Sequence, residues 1–467
     1  MKYTTAAVLM FVPIVAGASD FNGAQLGIAW GVPFVGVLLS IALGPLLVPS
    51  FWHQHFGKVT AGWVLAFIIP FLLHYGADVT IRLAAHTLLL EYVPFILVLL
   101  GLYTVAGGIC VRGHLHGTPA LNTALLAIGT FLASWMGTTG AAMLLIRPVI
   151  RANDNRKHQA HVIVFFIFLV ANAGGALTPL GDPPLFLGFL KGVDFFWTTT
   201  HLFLPTLVLC GVLLAEFYVL DYYFYHHRGE LRPKALDPTP DSAIRIEGAV
   251  NLIPLGVIIG AVLLSGFWHP NISWTVLGSE IELQNVVRDL LVVAAALVSL
   301  KFTPTAARAG NHFTWGPIIE VAKLFVGIFL TIIPVIAILR SGTDGVLAPL
   351  VRLVTDANGQ PINAMYFWLS GGLSSFLDNA PTYLVFFNMA GGDPQILMTT
   401  TVTTLVAISA GSVFMGAMTY IGNAPNFMVK AIAEHRNIKM PSFFGYMVWS
   451  VAVLLPPFIL LTVIFFQ

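Results

Sequence analysis

Gly175-Ala-Leu-Thr178-Pro-Leu-Gly181-Asp182-Pro-Pro184-Leu-Phe186 returns 241 residues later as Gly416-Ala-Met-Thr419-Tyr-Ile-Gly422-Asn423-Ala-Pro425-Asn-Phe427, with six of the twelve positions identical. Both copies set glycine, proline and a short polar side chain inside an apolar run. A continuous membrane helix is not written that way. A helix unwound at membrane depth is, because irregular backbone is tolerated there only against protein or water. Paired broken helices in the two halves of a chain are the sequence mark of secondary transporters.

A second pair of segments shares the same offset. Leu132-Ala-Ser134-Trp-Met-Gly137-Thr138-Thr139 aligns with Leu373-Ser-Ser375-Phe-Leu-Asp378-Asn379-Ala380 without a gap. Each lies midway along an apolar stretch, 121–149 and 364–390, and reads as the tip of a re-entrant hairpin. Ten further stretches are long and apolar enough to span, at roughly 20 residues per crossing. They cover 26–49, 59–76, 91–111, 161–190, 202–225, 249–267, 283–300, 315–339, 396–429 and 443–466. The expected fold is therefore an all-α polytopic membrane protein of two inverted-topology repeats, at 26–225 and 249–467. Each repeat has three helices, a re-entrant hairpin, a broken helix and a final helix. Residues 226–248, with Pro233, Pro238 and Pro240 among charges, read as a cytoplasmic linker. Residues 1–18 read as a signal peptide or a short first helix.

Composition agrees with lipid as the main solvent. The chain of 467 residues is 57% hydrophobic and only 9% charged, against about 25% charged in soluble domains. A net charge of +1 gives no footprint for nucleic acid. Cys110 and Cys210 sit alone in apolar runs, without zinc or disulfide spacing. The proposed topology puts 15 of the 22 Lys and Arg residues on one side, which the positive-inside rule makes cytoplasmic. An odd number of crossings then separates the repeats, so they are inverted. This parity is independent of the motif that revealed them.

Chemistry is expected where acids lie in apolar surroundings. An acid at the bilayer centre costs about 2.5–3.5 kcal/mol on insertion scales and needs a partner or a wet cavity. Asp182 and Asp378 are both in that position. Each can hold a proton or a sodium ion in turn, with Thr138, Thr139, Thr178, Asn379, Thr419 and Asn423 as neutral oxygen donors and Gly181 and Gly422 giving backbone access. The prolines beside Asp182 would free carbonyls for a hard cation. The structural alternative for Asp182 is a cap on the following half-helix. If each hairpin tip meets the broken helix of its own repeat, two half-sites with one carboxylate each result. Glu91 and Glu320 lie at related positions near helix starts and are candidates for proton coupling. Lys323, three residues after Glu320, also permits a same-face ion pair. His53, His55, His114 and His116 stand beside Lys58 and Arg112 and mark a solvated face. Arg147 and Arg151 read as topology anchors. No transition-metal, nucleophile or phosphate-loop pattern occurs, so neither an enzyme nor a bound cofactor is expected.

These residues resemble the NhaD-type sodium/proton antiporters of the ion-transporter superfamily, which also holds sodium/dicarboxylate symporters and citrate transporters. The likeness rests on Thr178-Pro-Leu-Gly181-Asp182 and Asp378-Asn379-x-Pro381. The runs 180–187, 374–382 and 423–430 are similar to those of a bacterial group labelled citrate transport or sodium:proton antiporter. Pro183-Pro184 replaces the Thr-rich run of the antiporters, and Gly137-Thr138-Thr139 replaces the Ser-Asn-Thr tip of the dicarboxylate symporters. The resemblance implies a bacterial inner-membrane carrier exchanging Na+ for H+, or alternatively a cation-coupled symporter of citrate or another small carboxylate. It makes Asp182, Thr178, Asp378 and Asn379 the ion residues, Na+ and H+ the cargo, lipid the surroundings and a homodimer the expected assembly. A channel or a purely structural membrane protein is the remaining class, against which the paired broken helices and buried acids speak.

Overall fold

The computed structural model describes residues 22–227 and 242–467. The suggested signal segment 1–18 and most of the linker lie outside the described residues. The described residues include twenty α-helices and two small β-ribbons. Among the described residues, seven helices are long and apolar enough to cross a membrane, and an eighth span arises if the bent pair Gly316–Thr331 and Ile333–Arg340 counts as one. The protein is an all-α, multi-pass membrane protein.

The first group of helices is α1 (Val32–Leu47), α2 (Pro49–Thr87), α3 (Val93–Ala106), α9 (Leu252–Phe267), α10 (Leu283–Phe302) and the bent pair α12 (Gly316–Thr331) and α13 (Ile333–Arg340). In it α1 packs on α2 and α9 on α10, while α3 crosses onto α10 and α12 onto α2. The third helix of each half thus leans on the second helix of the other half. Several boundaries differ from the sequence reading. The stretches at 59–76 and 91–111 belong to one helical run from Pro49 to Ala106. That run is interrupted at Gly76, whose φ of 83° breaks the helical path, and by a π-turn over Leu88–Tyr92. The third apolar stretch stops at Ala106, and Cys110–His114 instead forms strand β1, antiparallel to β2 (Ser242–Glu247). The stretch at 315–339 bends by 43° at Ile332, because Pro334 in the first turn of α13 cannot continue the hydrogen-bond ladder of α12.

The second group carries the interrupted elements. One hairpin is α4 (Pro119–Met136) and α5 (Thr138–Ala152), turning at Gly137. Thr118 caps α4 by accepting from the Leu121 amide, and Gly137 reverses the chain at φ 81°. The other hairpin is α15 (Asn363–Ser374) and α16 (Asn379–Met389), where Asp378 caps α16 by accepting from the Ala380 amide at 3.1 Å. The broken helices are α6 (Ala160–Leu169) followed by α7 (Pro183–Leu190), and α18 (Val402–Phe414) followed by α19 (Ala424–His435). A single tight turn stands inside each gap, at Ala173–Ala176 and Met415–Met418. The long α8 (Phe195–His227) and α20 (Phe443–Phe465) pack on one another behind them. Pro183, Pro184 and Pro425 occupy the first turns of α7 and α19. A missing N–H leaves no bond unmade there, so these prolines start half-helices rather than free carbonyls.

The offset of 241 recurs in the hydrogen bonds. Thr178 donates its hydroxyl to the Ser134 carbonyl and accepts from the Leu180 amide. Thr419 does the same with Ser375 and Ile421, at 2.5 and 3.2 Å. Ser134 donates to the Gly174 carbonyl and Ser375 to that of Met415. Each hairpin is therefore pinned to the broken helix of its own half by the same pair of hydroxyls.

Candidate ion site

Four helices begin at one place. The first residues of α5, α7, α16 and α19 follow Gly137, Asp182, Asp378 and Asn423. Their N-terminal ends are the positive poles of four helix dipoles. Asp182 stands among them, 1% exposed. Its Oδ1 accepts from Thr138 Oγ1 at 3.0 Å and from Asn423 Nδ2 at 3.1 Å, and its Oδ2 accepts from Asn379 Nδ2. Thr138 comes from the first hairpin, Asn379 from the second, and Asn423 from the second broken helix. The backbone reinforces the arrangement, since the Thr138 amide donates to the Gly181 carbonyl at 2.9 Å.

The expected pair of half-sites is thus one centre. Asn379 reaches across to Asp182, so both hairpin tips close on a single carboxylate. Asp182 and Asn423 occupy the same position in the two sequence copies, and they touch. Asp378, half-buried, lies beside this centre as a helix cap and makes no hydrogen bond to Asp182. Thr178 and Thr419 are close by, but their hydroxyl protons go to backbone carbonyls. Thr139 is half-buried in the first turn of α5, and its hydroxyl bonds no protein group among the described residues. Gly181 and Gly422 give room. A Cβ on Gly181 would lie 2.2 Å from the Gly175 carbonyl oxygen, and one on Gly422 would lie 2.6 Å from that of Gly416. Gly181→Ala is therefore expected to cost about 1–3 kcal/mol, read as a lower melting temperature of the purified protein.

Two side chains in the centre carry no signal in either motif comparison. Asn172 Oδ1 accepts from Asn423 at 3.3 Å, and Asn172 Nδ2 donates to Asn426 Oδ1 at 2.7 Å. Asn426 in turn donates to the Gly416 and Thr419 carbonyls. Both are fully buried. They form an amide relay from Asp182 into the second broken segment. The sign that could have found them is the one used for Asp182, an amide isolated in an apolar run.

Electrostatics set what the centre can do. Three neutral donors face Asp182, and among the described residues no Lys, Arg or His pairs with it. A buried charge without a countercharge is unfavourable. Hydrogen bonds and dipoles offset part of that cost, and a proton or a cation offsets the rest. Asn379 Oδ1 is buried and has no hydrogen-bond partner among the described residues. Its amide must turn N–H toward the carboxylate, which leaves a neutral oxygen of the kind that hard cations take.

Glu91 and Glu320 stand apart. Glu91, 7% exposed in the π-turn, binds Lys191 Nζ at 2.5 Å. The pair lines a cavity of about 730 Å³ with His86, Arg340 and the apolar side chains of α13. Glu320 is half-buried on α12. The ion pair that its spacing allows is not formed, because the Lys323 ammonium sits 5.5 Å over the Phe56 ring. Neither glutamate bonds to the Asp182 centre.

The chain is similar to known proteins. An uncharacterized transporter of Mycobacterium bovis and one of Mycobacterium tuberculosis are each 28% identical to this chain over 335 residues, covering 68% of it and 70% of the relative. Residues 23–466 match the family described as "putative citrate transport". With both hairpins, both broken helices and Asp182 inside that match, the chain belongs to this family of membrane transporters.

Proposed function

We propose that the protein is a secondary carrier of the bacterial inner membrane that exchanges Na+ for H+ at Asp182. The observation that carries this reading is a fully buried carboxylate, ringed by neutral side chains from both halves and lacking a basic partner among the described residues. In the protonated form the carboxyl is neutral and tolerates burial. On deprotonation the same oxygens become a cation site, the Thr138 hydroxyl rotates to offer a lone pair, and Asn379 turns its amide to present Oδ1. One ion displaces the other, which is the logic of exchange. Two inverted repeats meeting at Asp182 and Asn423 would let the centre be reached from either side in turn.

A second reading is favoured by the four helix N-termini and by the family description. Those dipoles suit an anion as well as Asp182, so a cation-coupled symporter of citrate or a related carboxylate fits the same frame. Reconstitution into liposomes with an internal pH dye separates the two. Addition of Na+ without citrate is expected to move protons. Uptake of radiolabelled citrate that requires Na+, with no proton movement in its absence, would replace exchange by symport.

A further inference from the structure

At the end of the molecule that the charge count makes cytoplasmic, a second cavity of about 410 Å³ opens between α5, α19 and the loop from α11 (Thr305–Gly310) into α12. Its rim and wall hold Arg147, His312, His435 and Arg436, and its apolar wall is Met428 and Ile432. No carboxylate lines it. The nearest acid along α19, Glu434, is taken by Lys430 at 2.8 Å. Arg147 has a buried Nη1 with no hydrogen-bond partner, and none of the four basic residues forms an ion pair among the described residues. His312 is held at φ 48° in its loop, next to Asn311, whose side chain is tied to the Gly107 and Ile109 carbonyls. Burial first, and then the Arg147, Arg436 and His435 charges, push the His312 imidazole below its ordinary value. Two arginine guanidiniums and two imidazoles held together around an apolar pocket are an arrangement that a bound anion would stabilise. The volume falls in the range of ligand sites, about 300–1,000 Å³.

We propose that this cavity binds a phosphate-bearing anion, with Arg147 at its inner end, Arg436, His435 and His312 around the phosphate, and Met428 and Ile432 against the apolar part of the ligand. Basic pockets between helices on the cytoplasmic side suit phospholipid headgroups, and a soluble organic phosphate offers the same group. The location gives occupancy a consequence. α5 starts at Thr138 and α19 starts after Asn423, so both helices that reach the cavity also carry a donor to Asp182. The His312 loop belongs to the other group of helices. A ligand here clamps the elements of the ion centre to their neighbours and slows their relative movement.

The test uses the full-length protein purified in detergent. Melting temperature and native mass are measured with phosphatidylglycerol, with phosphatidylcholine and with inorganic phosphate. Wild-type protein is expected to retain and be stabilised by phosphatidylglycerol over phosphatidylcholine. Binding should weaken about tenfold in Arg147→Gln and in Arg436→Gln, each of which removes charge-assisted bonds. Arg436 is exposed, so its variant keeps the test open if Arg147→Gln does not fold. Equal stabilisation by millimolar inorganic phosphate, lost in the same variants, would assign the site to a soluble phosphate. No preference for either phosphate source over phosphatidylcholine, or unchanged binding in Arg436→Gln and His312→Gln, overturns the proposal.

Discussion

Asp182→Asn is expected to abolish Na+-induced proton movement in everted vesicles, with a fall of at least about 100-fold, while the protein still folds. The substitution keeps the volume and leaves an oxygen to accept from Thr138 and Asn423. It removes the charge that a sodium ion would pair with and the group that would carry the proton. Losing one partner of a buried charge pair costs about 3–5 kcal/mol, more than two powers of ten at about 1.4 kcal/mol each. Stability moves the other way or not at all, because the variant no longer buries a carboxylate. An inactive protein with an unchanged or higher melting temperature therefore marks a transport residue, whereas a large fall in melting temperature marks a structural one. Wild-type exchange would remove Asp182 from the ion path. Asp378→Asn is the contrast. Asparagine is as good a helix cap as aspartate, and Asp378 makes no hydrogen bond to the centre, so this variant keeps its fold and its exchange. Equal loss in both variants would return Asp378 to the role of direct ligand.

The fold was legible because membrane folding punishes irregular backbone. Gly, Pro and Asp have few reasons to appear together in an apolar run, so Gly181-Asp182-Pro and the Asp378-Asn379 tip announced the breaks and the hairpins. What the linear comparison could not convey is which tip meets which break. Repeat-related spacing relates Ser134 to Ser375 and Thr178 to Thr419. It says nothing of the cross-contact from Asn379 to Asp182, which depends on how the two halves lie against each other. The threonines are a related case. A hydroxyl in an unwound segment looks like a spare ligand, but the segment has its own carbonyls to satisfy, and Thr178 and Thr419 are spent on Ser134 and Ser375. The helix breaks at Gly76 and Ile332 were missed because one glycine or one Ile-Pro step is common in spanning helices. Pro334 is informative only once α13 is seen to start there.

Asp221→Asn is expected to be the most destabilising conservative change outside the ion centre. Asp221 lies near the end of α8 with its side chain fully buried. Its Oδ1 accepts from Arg156 Nη2 at 2.6 Å and meets His161 Nε2 at 2.7 Å, while its Oδ2 accepts from Arg156 Nη1 at 3.0 Å and from Asn122 at 3.1 Å. Asn153 extends the cluster by bonding Asn122 in both directions. These residues come from α4, the α5–α6 loop, α6 and α8, so one carboxylate joins the base of the first hairpin to the broken helix and to the long helix behind it. An amide in its place can accept one of these bonds well, and it takes the Asp221 charge away from the buried Arg156 guanidinium. The cost is about 3–5 kcal/mol, visible as a melting temperature lower by several degrees and a smaller monodisperse fraction on size exclusion. The surviving folded protein should exchange ions at close to the normal rate, since no member of the cluster bonds to Asp182. The opposite pattern, normal stability with lost exchange, would make the cluster part of the ion path rather than the fixture that holds the first hairpin.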